Sequence, residues 1–147
     1  MRRLYAKAIL GGATISYIPS VAIGYLAEQY PALAPEELEI VSDFFASGIG
    51  PLQLVVLVII VFVLPLVEEL LFRKWLWGLL GRVLSTHWTW IATSLVFAMA
   101  HVEPLHILGL LPLSFFLGWL RKEAGDISCS ATAHIANNAA ACLMMII

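Results

Sequence analysis

Charge is what this chain has least of. Only 12% of its 147 residues are Asp, Glu, Lys or Arg, against roughly a quarter in a typical soluble domain. Hydrophobic residues make up 61% and mean hydropathy is +0.93. Such a composition excludes an ordinary soluble domain and implies a polytopic membrane protein in a lipid bilayer. Cysteine is also scarce. Cys129 and Cys142 fall in one expected helix, roughly 20 Å apart at helical rise, too far to bridge. They read as small apolar packing residues and leave the redox compartment open. No internal repeat or low-complexity segment is present. The net charge of −2 gives no reason to expect a nucleic-acid partner. The length suits a single domain over residues 1–147.

What remains is a series of apolar runs. The first, Ala8 to Ala27, follows Arg2, Arg3 and Lys7 and contains Pro19, where a kink is expected. Its length suits a spanning helix; a signal peptide is the rival reading. Residues 28–51 are polar and acidic, with Glu28, Glu36, Glu37, Glu39 and Asp43 and no Lys or Arg. Pro35 followed by two glutamates marks the start of a short interfacial helix. Leu52 to about Arg82 reads as one long helix, roughly 46 Å at helical rise, which must tilt or kink to fit a bilayer. Pro65 supplies the kink and frees the carbonyl of Val61. Further helices are expected from about Trp88 to Val102, over Leu105–Leu120, and over Ile127–Ile147. The motif-bearing core is therefore about 51–147, with 1–50 a first span and an acidic loop.

All eight Lys and Arg lie in three places: the N-terminus, Arg73 to Arg82, and Arg121-Lys122. Five spans put these places on one side, cytoplasmic by the positive-inside rule. The fold class expected is thus an all-α bundle of about five transmembrane helices with the N-terminus in the cytoplasm.

Against this background Glu68, Glu69 and Arg73 stand out. From Leu52 to Val67 the only strongly polar side chain is Gln53. Charge placed after such a run costs several kcal/mol per group and is by default a functional-site hypothesis. His101, His134, Asn137 and Asn138 are the other polar groups within apolar helices. Counting from helix ends puts Glu68 and His101 each about 21 Å deep, and His134 and Asn138 roughly 10 and 17 Å deep. Glu69 and Arg73, four apart, can pair along one face. Glu68, offset by about 100°, can point elsewhere.

These groups suit hydrolysis by an activated water. A carboxylate in a low-dielectric site is a better base near neutral pH. Histidine and asparagine can donate to a developing oxyanion, typically worth about 2.7–4 kcal/mol per donor. Structural readings stand beside this one: an ion pair of glutamate with Arg73, and interhelical hydrogen bonds from His134 and Asn138. His87 and His106 read as interfacial. Zinc held by Glu68, His101 and His134 is the metal alternative, though no H-E-x-x-H is present.

Glu68-Glu69-Leu70-Leu71-Phe72-Arg73 resembles the E-E-x-x-x-R motif of the CPBP (Abi, CAAX protease) family of intramembrane glutamic endopeptidases. Phe97 to His101 is similar to that family's F-x-x-x-H, and His134 to Asn138 to its H-x-x-x-N. Together the three motifs span about Pro65 to Ala141. The resemblance implies that Glu68 and His101 activate the water, that His134 and Asn138 form the oxyanion hole, and that Glu69 and Arg73 support the site. It implies no metal and no cofactor, a protein or peptide substrate that is membrane-anchored or lipidated, and residence in a bacterial cytoplasmic membrane. The family includes the eukaryotic Ras-converting CAAX endopeptidase, with about eight spans to the five expected here. A non-enzymatic immunity or partner-binding protein, a proton-coupled carrier component and a zinc-dependent membrane protease are the alternatives.

Overall fold

The computed structural model describes residues 1–30, 40, 43–46 and 48–146. The interfacial helix expected to start at Pro35 lies outside the described residues. The described residues form helices and connecting turns, with no strand among them.

The first apolar run is two helices, α1 (Arg2–Ile15) and α2 (Tyr17–Gln29). The expected kink at Pro19 falls one turn earlier, at Ser16. A proline ring clashes with the carbonyl four residues back, which here is that of Ile15. Thr14 Oγ1 donates to the Leu10 carbonyl at 2.7 Å, a back-bond that also bends helices.

Helix α3 (Pro51–Leu80) has 30 residues, and its most apolar 18-residue window has a mean hydropathy of 2.8. Pro51 opens it at the first helical position, where its missing N–H costs nothing. Two π-helical segments, Ile59–Val63 and Glu69–Leu76, interrupt the α geometry. Their effect shows in what is buried: Val61, Pro65, Glu69, Arg73 and Trp77, every fourth residue. At 3.6 residues per turn, a four-residue period drifts about 40° per step. The π segments bond i to i+5 and hold more residues per turn. They take up the drift and keep all five side chains on one face. The opposite face, including Phe62, Val63, Leu66, Val67, Leu70 and Leu71, is exposed. An apolar surface so extensive suits lipid rather than water.

Helix α4 (Thr86–Met99) starts after Ser85, whose backbone is extended. Helix α5 (Pro104–Ala124) starts on a proline after the extended Glu103, the conformation that a following proline favours. It ends at Gly125, whose φ of 80° is the left-handed cap that glycine adopts without strain. Helix α6 (Ser128–Ile146) follows at once. The Asp126 carboxylate accepts from Ser128 N at 2.8 Å and from its hydroxyl. By length and composition, the candidate membrane spans among the described residues are α3 and α5.

The core is built from α1, α5 and α6: Ala8, Leu113, Leu117, Leu120, Cys129 and Ala133. Both cysteines are free and buried. Gly12 lets α1 touch α6, because a Cβ there would lie 2.1 Å from the Ala133 carbonyl oxygen. Helices α4 and α5 are joined by a reciprocal serine clasp. Ser94 Oγ donates to the Ser114 carbonyl at 3.1 Å, and Ser114 Oγ to the Ser94 carbonyl at 2.7 Å. Trp90 Nε1 adds a bond to the Phe115 carbonyl at 2.9 Å.

Candidate active site

The buried face of α3 brings Glu69 and Arg73 into the bundle, both with fully buried side chains. Arg73 Nη1 lies 3.7 Å from Glu69 Oε1. The other end of the guanidinium, Nη2, donates to both the carbonyl and the hydroxyl of Ser114, each at 3.1 Å. The guanidinium carbon sits 4.1 Å from the centre of the Phe97 ring, so α4 supplies a π face for the cation. Three helices therefore hold one charged side chain. Serine at 114 is the signal the sequence reading missed. It is the only hydroxyl side chain in α5, and small polar residues in apolar helices commonly bond across helices.

His134, on α6, stands between the two glutamates. Its Nδ1 is 3.3 Å from Glu69 Oε1 and its Nε2 is 3.5 Å from Glu68 Oε2. The Phe97 ring packs edge-on against it, centroids 5.6 Å apart. The carboxylates differ in access: the Glu69 side chain is fully buried, while that of Glu68 is 30% exposed. The expected pairing of Glu69 with Arg73 is present, and His134 joins it. A neutral imidazole carries one N–H and can donate to only one of the two carboxylates.

His101 lies just beyond α4 rather than within it. Its Nδ1 is 3.1 Å from the Phe97 carbonyl. A carbonyl accepts, so Nδ1 carries the hydrogen and Nε2 the lone pair in the neutral ring. Val102 then takes a φ of 61°, uncommon for a β-branched residue. With Glu103 N donating to the His101 carbonyl at 2.6 Å, it turns the chain sharply. This corner brings the His106 ring to 5.0 Å from that of His101. His87, the other histidine read as interfacial, packs on Trp88 and Trp90.

Asn138 is one turn beyond His134. Its Nδ2 donates to the Ile60 carbonyl at 2.9 Å, leaving the second amide hydrogen for another acceptor. Asn137 Nδ2 donates to Asn138 Oδ1 at 3.3 Å. The structure thus gathers Glu68, Glu69, Arg73 and His134 through polar contacts, adds His101 through the Phe97 ring and carbonyl, and ties Asn138 to the α3 backbone. Among the described residues, no group of three or more His, Cys, Asp or Glu side chains is placed to hold a metal ion.

Two carboxylates, a guanidinium and an imidazole enclosed in a helical bundle with a lipid-suited face suit a membrane-embedded hydrolase. The family comparison makes that class specific. A family model described as Type II CAAX prenyl endopeptidase Rce1-like matches residues 50–140, more than half of the chain, and the chain belongs to that family. The family is one of membrane proteases, so the substrate is a protein or peptide. The matched region contains all three motifs. Neither a curated protein nor a solved structure was found to match the chain.

Proposed function

We propose that this protein is an intramembrane endopeptidase in which Glu68 activates the attacking water. The observation that carries this reading is the unequal burial of the two glutamates around His134. Glu69 is enclosed with Arg73, whereas Glu68 is open enough to meet water and substrate. Glu68 takes a proton as the water oxygen bonds to the scissile carbonyl carbon. His101 Nε2 shares that water. The oxyanion is held by His134 and by the second amide hydrogen of Asn138. Collapse of the tetrahedral intermediate breaks the C–N bond, and the proton passes from Glu68 to the leaving amine. Glu69 and Arg73 keep His134 in place. No cofactor or metal takes part in this scheme.

The substrate is membrane-anchored or lipidated, which suits a site inside an apolar bundle. The three clusters of Lys and Arg favour five spans with the N-terminus in the cytoplasm and the site in the cytoplasmic half. Residence is in a bacterial cytoplasmic membrane. The test is cleavage of a farnesylated, internally quenched CAAX-type peptide by the protein in proteoliposomes. Wild type is compared with Glu68→Ala, His101→Ala and Asn138→Ala. Losses of about 10²–10⁴-fold are expected for the base and about 10²–10³-fold for a donor. Identical behaviour of all four proteins would overturn the reading and leave an immunity or partner-binding role.

A further inference from the structure

We infer that Asn138 is a positioning residue for α3. Its side-chain amide replaces the backbone hydrogen bond that Pro65 removes, and so holds the register that places Glu68 and Glu69. The importance of this for catalysis rests on the peptidase reading; the hydrogen bond does not.

The argument is one of register. In an α-helix Pro65 would orphan the carbonyl four residues back, that of Val61. Here the preceding segment, Ile59–Val63, is π-helical, and Leu64 N–H donates to the Ile59 carbonyl, five residues back. The next donor in that register is residue 65, which as proline has no N–H. The orphan therefore moves by one residue, to Ile60. That is the carbonyl on which Asn138 Nδ2 sits, at 2.9 Å. Asn137, donating to Asn138 Oδ1, helps turn the amide nitrogen toward it. An orphaned carbonyl inside an apolar bundle is costly, because no water replaces the lost donor. The second π segment carries a similar tie: the Arg73 carbonyl accepts from Arg121 Nε at 2.9 Å. Each π segment is thus held through a backbone oxygen by a side chain from another helix. The first lies one turn ahead of Glu68, so loss of its tie would release the register on which the two glutamates depend.

The inference makes a suppression test available. If Asn138 stands in for a missing N–H, restoring that N–H must make Asn138 dispensable. The full-length protein in detergent micelles is compared as wild type, Asn138→Ala, Pro65→Ala and the double variant, by thermal midpoint and hydrogen exchange. With Pro65 in place, Asn138→Ala is expected to lower the midpoint by about 3–8 °C and to speed exchange over residues 59–66 by about tenfold. In the Pro65→Ala background, the same substitution is expected to cost no more than about a third of that shift. Equal losses in both backgrounds, or no loss in the first, would overturn the proposal. Should Asn138→Ala fail to fold, folding must return in the double variant, and its failure to return would be equally decisive. No arm reads cleavage, so the cycle can fail while the peptidase reading stands, and the converse also holds.

Discussion

Replacing Arg73 with methionine tests the electrostatic arrangement on which the site depends. The side chain is fully buried, as is that of Glu69, so solvent screening offers little relief. Methionine keeps much of the length and apolar contact but removes the charge, the two bonds to Ser114 and the cation over Phe97. Ser114 Oγ still donates to the Ser94 carbonyl, so the serine is not stranded. Glu69 is, with its guanidinium partner gone and His134 and Ser130 left beside it. Removing one partner of a buried ion pair costs about 3–5 kcal/mol, because the remaining charge is left uncompensated. At roughly 2–4 °C per kcal/mol for a chain of this size, the thermal midpoint should fall by about 6–20 °C. The penalty is for the stranded carboxylate, so Glu69→Gln added to Arg73→Met should recover most of the loss. Arg73→Lys should fall between, since an ammonium lacks the planar fork that spans Ser114 and Glu69. Tryptophan fluorescence on heating in detergent reads all four proteins. A wild-type midpoint for Arg73→Met, or a double variant no better than the single, would refute this reasoning.

Gly12→Leu should separate α1 from α6, since even a Cβ at that position would overlap the Ala133 carbonyl. A midpoint lowered by several degrees, with more rapid hydrogen exchange in α1, is the expected outcome. The Asp126 carboxyl lies below its ordinary value of 3.8, held there chiefly by the hydrogen bonds from the Ser128 side chain and backbone. A depressed acid stabilises the fold above its unfolded pKa, and that contribution fades as pH falls through the folded value. Wild type should therefore exceed Asp126→Asn in stability at neutral pH, and the gap should close below about pH 4 in an acid titration. Exhaustive chelation should leave cleavage unchanged; restoration of lost activity by added zinc would instead favour a metal-dependent protease.

The local code of the chain was readable where single residues dictate geometry. Pro51 and Pro104 mark helix starts that the backbone honours, whereas the helix expected over Leu105–Leu120 runs on to Ala124 and ends at Gly125. The pairing of Glu69 with Arg73 follows from their spacing. The family match covers the same motifs that spacing and apolar context had singled out. Register was not readable. A four-residue stripe of buried positions in α3 drifts in an ideal α-helix, and only the two π segments align it. They also move the Pro65 orphan from Val61 to Ile60, where Asn138 meets it. Sequence spacing had turned Glu68 away from Glu69, yet one imidazole reaches both, because its two nitrogens face opposite sides. Ser114 escaped notice because its contacts with Arg73 lie 41 residues apart in sequence. His101 was placed inside a helix running to Val102 because Pro104 announces a break but not the positive φ of Val102 that turns the chain ahead of it.

The division of labour between the two glutamates is the central claim, and one comparison tests it most directly. Glu68→Gln and Glu69→Gln are each assayed for cleavage of the farnesylated quenched peptide and for thermal midpoint. Glutamine keeps the shape and removes the base. Glu68→Gln is expected to lose cleavage by at least about 100-fold while keeping a near-wild-type midpoint, since its side chain is partly exposed. Glu69→Gln is expected to lose stability as well, since it strands Arg73 inside the bundle. Wild-type cleavage by Glu68→Gln would contradict the account.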